Sequence, residues 1–368
     1  MIELSPMKSI RVDPGKRVAI ASPGVLWGEF DRATQAHGLA TTGGQVSHTG
    51  IAGLTLGGGL GYLMGKYGAT CDNLLSVDIV TADAEMLTAS AEQNQDLFWA
   101  VRGAGANFGV VTSFRYRLHP VGDVLAGLLL HPRERAPDLV AFHREFLQGS
   151  PDELGTTIAF LNSPDGAPLV GIVAVYAGVR AEGDRVLEPL RKFGPPLADL
   201  IRPMPYIAAQ SMLDETVPIG ERYYWKSNFV NELSPSLTGV LSAGASAMPS
   251  PRSMILLFEI KGAIRRVPRD AMAFDHREAN FELSIIAHWT DPAGDEANIQ
   301  WARDVLSEAQ PYVSGAVYAN HMTREESPQR VRAAYGSEKY DKLATLKAKY
   351  DPTNFFKLNH NVAPRNSR

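Results

Sequence analysis

Between Gly43 and Asn73 the chain reads GGQVSHTGIAGLTLGGGLGYLMGKYGATCDN, with glycine at 43, 44, 50, 53, 57, 58, 59, 61, 65 and 68. Small or apolar side chains fill the gaps. Glycine at this density weakens any regular element, because each one loses more backbone entropy on folding than other residues do. A fold tolerates that where the backbone itself must approach a partner. Main-chain N–H groups without bulky side chains around them suit a phosphate-bearing ligand. The alternative is a surface loop, since glycine also serves turns. A second glycine-rich segment, RGAGANFG, spans Arg102–Gly109, and near the end stand Asn359 and Asn361, whose amides both donate and accept.

Neither loop matches the common nucleotide motifs. A Rossmann loop needs G-x-G-x-x-G between strand and helix. Gly57-Gly58-Gly59-Leu60-Gly61 has no correctly placed third glycine, and Gly103-Ala104-Gly105 has Phe108 at that position. No G-K-[ST] follows either loop, which argues against a P-loop and leaves a nicotinamide-dependent dehydrogenase poorly supported. A single cysteine, Cys71, rules out an internal disulfide framework and a Cys-based zinc site; it reads as a small packing residue.

The elements that must hold these loops follow from the pattern. At 368 residues, with 45% hydrophobic and 21% charged residues, two globular domains are expected. A net charge of −4 gives no electrostatic case for nucleic acid. No apolar run approaches the ~18 residues of a membrane span. MIELSPMKSI lacks the basic and apolar regions of a signal peptide, so the expected location is cytoplasmic. Short strands are predicted at Ile10–Val12 and Arg17–Ser22, a helix at Val25–His37, and a hairpin from Val77–Thr81 and Met86–Ser90. In Val110–Leu118, Thr112, Phe114, Tyr116 and Leu118 alternate with Ser113, Arg115 and Arg117, as in a half-buried strand. Beyond His119-Pro120, longer strands (near 124–130, 156–161, 170–176, 223–231, 254–260 and 281–289) and helices (133–148, 180–192, 295–309) suggest an antiparallel sheet covered by helices. A charged amphipathic helix, 337–349, closes the chain before a stop-and-turn sequence.

The run TGGQVSHTGIAGLTLGGGLGYLMGKYGATCDNLLSVDIVTADAEMLTAS, then DLFWAVRGAGANFGVVTSFRYRLHPV, resembles the flavin domain of the berberine bridge enzyme-like oxidoreductases. These belong to the vanillyl-alcohol-oxidase/PCMH-type FAD-binding superfamily. YGSEKYDKLATLKAKYDPTNFFKLNHNVAP (Tyr335–Pro364) resembles that family's C-terminal motif, so the resemblance covers essentially the whole chain. It implies an α+β fold. A PCMH-type FAD-binding domain, incomplete at its N-terminus, takes residues 1–118. A substrate domain takes 119–327, and 328–368 returns to the FAD domain. Members usually carry an R-G-G-G-H motif whose histidine bonds to the flavin. The sequence has none, and Val46 stands where a linking cysteine occurs in relatives. The expectation is FAD held non-covalently; the alternative is an N-terminally truncated or non-catalytic flavin-fold binding protein.

The resemblance also assigns roles. Backbone donors of Thr49, Gly50, Ile51, Ala52, Gly53, Gly57, Gly58 and Gly59 would meet the FAD pyrophosphate. Asn107, Gly109 and Val110 would lie near adenine and phosphates, and Asn359 and Asn361 near the ribityl chain or ring edge. Tyr335 aligns with the family's phenolic base. A free phenol has a pKa of about 10, so it needs a nearby cation, Lys339 or Lys226, or concerted proton transfer. Tyr340 is the alternative phenol, or an apolar-face residue of its helix. Leu60 occupies the position of a second active-site tyrosine in some relatives. Glu259, His288 and Tyr318 are expected in the substrate wall, with the Tyr223–Lys226 run nearby. The implied activity is oxidation of an alcohol or related C–H bond of a small hydroxylated molecule by hydride transfer to flavin N5. The expected partner is that small molecule, with neither nucleic acid nor membrane, and nothing indicates an oligomeric state.

Overall fold

Five antiparallel strands from the first third of the chain form one sheet: β1 (Ile10–Asp13), β2 (Val18–Ala21), β3 (Leu74–Val80), β4 (Met86–Ser90) and β5 (Val110–Arg117), in the order β1-β2-β5-β3-β4. The computed structural model describes residues 2–323 and 325–365. In β5, Phe114 and Tyr116 are buried while Arg115 and Arg117 are exposed, as the alternation predicts. The helix Trp27–Gln35 buries Trp27, Phe30, Asp31 and Thr34, one face at helical spacing, and sets Phe30 edge-on to Tyr116 at 5.2 Å.

The second sheet is larger. Its strands are β6 (Asp123–Pro132), β7 (Leu154–Asn162), β8 (Pro168–Tyr176), β9 (Ala198–Asp199), β10 (Arg202–Pro205), β11 (Arg222–Val230), β12 (Met254–Glu259) and β13 (Phe281–Trp289). They run in the order β9-β6-β8-β7-β12-β13-β11, with β10 also on β6, and every pairing is antiparallel. The helices Ala136–Leu147, Arg180–Lys192, Pro235–Ser246 and Asp295–Ala309 contribute to the core on one face. Along β13, Phe281, Leu283, Ile285, Ala287 and Trp289 join that core. Each fully buried Leu or Ile there contributes roughly 1.5–3 kcal/mol, so this layer holds the half together and the opposite face is free for other chemistry.

That opposite face meets the glycine-rich arm. A buried ion pair, Arg277 to Asp72 at 2.6 and 2.9 Å, joins the arm to the segment between β12 and β13. The tail helix Ser337–Tyr350 returns to the first sheet's core through Leu343, Ala344, Leu346 and Tyr350. Some elements depart from the sequence pattern, the helix Pro328–Tyr335 and the short strands β9 and β10 among them. Ile51–Leu56 forms a six-residue helix inside the glycine-rich run, and Pro235–Ser246 is a helix that the pattern leaves unread.

Candidate active site

Between the glycine-rich arm and the free face of the second sheet lies a cavity of about 550 Å³. Gly44, Gln45, Val46, Thr49 and Gly53 line the arm side. Tyr223, Trp225, Met254, Leu256, Phe258 and Ile286 line the sheet side. Strand register explains the second group. Trp225, Ile286 and Met254 sit side by side across β11, β13 and β12, and Ser284 pairs with Leu256 in the next row of the same face. Two residues further, Glu282 pairs with Phe258. One face therefore carries an apolar floor with two polar residues at its edge. Among the described residues no Asp, Glu, Lys or Arg lines the cavity.

The polar edge is organised around His321. Its Nδ1 lies 2.8 Å from Glu282 Oε1 and 2.9 Å from Ser284 Oγ, and Ser284 Oγ stands 3.1 and 3.0 Å from the two Glu282 oxygens. Glu282 is fully buried, while His321 lines the cavity. A carboxylate facing Nδ1 favours the proton there and leaves Nε2 with its lone pair. The ring is fixed by neighbours, with Trp225 at 4.9 Å and Tyr318 edge-on at 4.8 Å.

Tyr318 connects this edge to the arm. Its hydroxyl oxygen accepts from Gly59 N (2.9 Å), Leu60 N (3.2 Å) and Asn320 Nδ2 (2.8 Å), and burial raises its pKa. From the other side, Asp214 receives Ser47 N (2.8 Å) and Ser47 Oγ (2.6 Å), and Gln210 Nε2 donates to Gly44 O (2.6 Å). The arm is thus pinned by side chains of segments 206–218 and 318–320.

The arm's glycines fall into two groups. At Gly50 and Gly53 the space a Cβ would take is open, and Gly53 lines the cavity. The amides of Ala52 and Gly53, in the first turn of the helix Ile51–Leu56, have no carbonyl four residues back within that helix. Gly57, Gly58 and Gly59 differ, which corrects the expectation that their amides serve a ligand. Gly57 N and Gly58 N donate to Gly53 O and Thr55 O, and Gly59 N to Tyr318. A Cβ on them would stand 1.9 Å from Asn320 Oδ1, 2.5 Å from Phe274 Cδ2 and 2.1 Å from Thr70 Oγ1. They are glycine so that the turn can pack. Thr49 N and Ile51 N are likewise engaged, by Val46 O and Val25 O.

Other expected residues also move. Tyr335 ends the helix Pro328–Tyr335 and is buried in the first sheet's core with Val331 and Ala334, one helical face; it does not line the large cavity. Burial raises its pKa. Tyr340 packs on the same core beneath Arg332, 5.0 Å from its ring. Of the cations expected beside a phenol, Lys339 pairs with Asp275 (3.4 Å) and Lys226 with Glu326 (2.8 Å). Glu259 lies outside the large cavity, binding Thr156 Oγ1 at 2.7 Å and Lys261 at 3.1 Å; burial raises its pKa. His288 shares the face of β13 that carries Ile286 but does not line the cavity; it is buried, stacked on Tyr223 at 4.4 Å and bonded to Glu221. Tyr318 does line the cavity, as does Leu60.

The second glycine-rich loop and the tail come together, and asparagines of each bond the other's backbone rather than line the cavity. Asn107 Oδ1 accepts from Val362 N at 2.8 Å, and Asn359 Nδ2 donates to Ala106 O. Gly109 (φ +156°) lets the backbone pass Val80 O, and Val110 begins β5. The Oδ1 atoms of Asn359 and Asn361 are buried without a partner among the described residues. The residues that sequence reasoning missed, His321, Glu282, Ser284, Gln45 and Asp214, carried one signal: Glu282 is the only charged residue in the apolar run Phe281–Trp289.

Comparison with known proteins places this arrangement. The model of an FAD binding domain matches residues 1–90, and that of berberine and berberine-like proteins matches 317–363. An FAD-linked oxidoreductase of Dictyostelium discoideum is 34% identical over 369 residues, 99% of this chain and 79% of the relative. (R)-6-hydroxynicotine oxidase of Paenarthrobacter nicotinovorans is 29% identical, across 100% of this chain and 82% of its own. Among solved structures, 6-hydroxy-D-nicotine oxidase from Arthrobacter nicotinovorans superposes with a TM-score of 0.88 at 26% identity, covering 98% of this chain and 82% of that one. A xylooligosaccharide oxidase from Myceliophthora thermophila shares the fold at TM-score 0.87 and 21% identity, covering 100% and 82%. The residues present fit FAD: open cradles at Gly50 and Gly53, first-turn amides and, among the described residues, a lining without charged side chains. The chain belongs to the FAD-linked oxidoreductases of the berberine bridge enzyme-like type; its fold is the α+β, PCMH-type one, its cofactor FAD, and it is an enzyme.

Proposed function

We propose that this FAD-dependent oxidoreductase oxidises a carbon bearing a hydroxyl or amine group in a small molecule bound within the 550 Å³ cavity, with His321 as the proton acceptor. The observation that carries the reading is the Glu282–His321 pair at the cavity's edge. Bound FAD supplies the two-electron acceptor for the hydride. The chain must take the other proton. Neutral His321, holding its Nδ1 proton against Glu282 and Ser284, presents Nε2 to a substrate O–H or N–H, and the buried carboxylate then stabilises the imidazolium. Nothing comparable supports Tyr335, whose phenol is enclosed by the first sheet's core.

The arm's share is to bind and orient. The amides of Ala52 and Gly53, without partners inside their helix, would bind the cofactor. Asp214, Gln210 and Tyr318 hold the loop that carries them. In this reading residues 1–118 and 328–368 serve the cofactor, and 119–327 serve the substrate.

The test is anaerobic mixing of FAD-loaded protein with candidate alcohols and amines, followed by flavin absorbance. His321→Gln should slow reduction about 10²–10⁴-fold without altering the visible spectrum. An unchanged reduction rate removes His321 from the chemistry.

A further inference from the structure

The sheet side of the cavity says more about what it holds. Tyr223, Trp225 and Phe258 present aromatic rings, Met254, Leu256 and Ile286 fill the floor between them, and the polar side chains stand around this floor, at the His321 edge, on the arm and at Thr216 and Tyr224. We propose, on the basis of the reading above, that the substrate is an uncharged molecule with a planar aromatic ring lying on the Trp225–Ile286–Met254 row and its reacting hydroxyl or amine carbon at His321, rather than a sugar.

Three features support this. A sugar ring carries a hydroxyl on most carbons, and each one buried against this floor loses its water partners without gaining another. That weakens binding by about tenfold or more per group. An aromatic ring has no such groups on its faces, and gains from edge or offset contact with Trp225 and Tyr223. The lining carries neither Lys nor Arg to receive a carboxylate or phosphate, nor Asp or Glu to receive an ammonium, among the described residues. Finally, the His321 edge places one acceptor for the reacting group. Glu282 and Ser284 already satisfy Nδ1 of His321, so Nε2 is left for one hydroxyl or amine. The position of Trp225 is also fixed: it stands 4.9 Å from the His321 ring, so a substrate ring stacked on it has its substituent carbon beside that imidazole.

The experiment measures binding and turnover separately on the FAD-loaded chain. Calorimetric titration with 4-hydroxybenzyl alcohol and 3-pyridylmethanol is compared with glucose and cellobiose, on the wild-type chain and on Trp225→Ala and Trp225→Phe. The expected result is saturable binding of the aryl probes. Trp225→Ala should weaken it at least about tenfold, Trp225→Phe should largely restore it, and the sugars should give no saturable heat. Sugar binding equal to or tighter than aryl binding overturns the proposal. So does aryl affinity unaffected by Trp225→Ala, or no saturable aryl binding at millimolar concentration. Flavin bleaching is read in parallel. Aryl binding without bleaching by any alcohol or amine counts against the oxidation reading while leaving the aryl site standing, so the two failures are distinguishable.

Discussion

The glycine-rich arm and the free face of the antiparallel sheet border the same cavity by opposite means. The arm offers main chain. At Gly50 and Gly53 nothing occupies the place of a Cβ, and the first-turn amides of the helix Ile51–Leu56 are free of helical partners. The sheet offers side chains, and strand register decides which ones arrive: Trp225 beside Ile286 beside Met254, with Ser284 and Glu282 on the same face. A backbone site is encoded by small residues that are contiguous in sequence. A side-chain site is assembled from strands and a crossing segment, here residues 282 and 321, that only the fold brings within 2.8 Å. The comparison also divides the arm itself, because its triple glycine serves packing while its two single glycines leave a surface open.

Breaking the sheet's contribution should have the largest effect. Loss of His321, as His321→Gln, is expected to lower the rate of flavin reduction about 10²–10⁴-fold, read by anaerobic stopped-flow absorbance. Breaking the packed part of the arm should act on folding instead. Gly59 has φ +88°, and a Cβ there would lie 2.1 Å from Thr70 Oγ1. Gly59→Ala should therefore destabilise by about 3 kcal/mol, seen as a lower denaturation midpoint. The open part is the control. Gly53→Ala meets no atom within 4 Å and stands in a helix. It should leave stability unchanged or slightly raised, by up to about 1 kcal/mol, while weakening FAD affinity in a flavin-fluorescence titration. Equal stability losses for the two substitutions would show that the division of the arm is wrong.

The sheet half has its own pH signature. Burial pushes the His143 imidazole, fully enclosed and 2.9 Å from Thr156 Oγ1, down to about 3. Its folded pKa lies below its unfolded value near 6.5, so the unfolded chain takes up the proton first. The resulting stability is fully present above about pH 6.5 and is lost as pH falls toward 3. It amounts to roughly 3–5 kcal/mol, and His143→Asn should flatten that part of the curve. The smallest effect is expected at the pin between the two regions. Asp214→Ala frees Ser47 N and Oγ, and should loosen FAD binding about tenfold through loss of a charge-assisted hydrogen-bond pair. Global stability should barely change.

What could be read from the chain follows the same contrast. Strand 281–289 and the helices 180–192 and 295–309 match the predicted limits, because long apolar runs and clean helical periods carry them. The helix Ile51–Leu56 was hidden by Gly50, Gly53 and Gly57, which lower helix propensity and here act as cap, cradle and stop. Tyr335, which the resemblance offers as the base, falls with Val331 and Ala334 at core-facing helical spacing. His321 follows Tyr318 and Asn320 directly, but its value depends on Glu282, 39 residues earlier, and no local pattern joins them. The clue was a buried carboxylate in an apolar strand, which requires a partner.

The central claim is that proton acceptance belongs to the sheet edge and not to a phenol of the tail. The most direct measurement is the rate of anaerobic flavin reduction under saturating alcohol, compared among the wild-type chain, Glu282→Gln, His321→Gln and Tyr335→Phe. A large loss of rate in His321→Gln, a smaller loss in Glu282→Gln and a wild-type rate in Tyr335→Phe are the results predicted. A rate that survives His321→Gln and collapses in Tyr335→Phe would contradict the account.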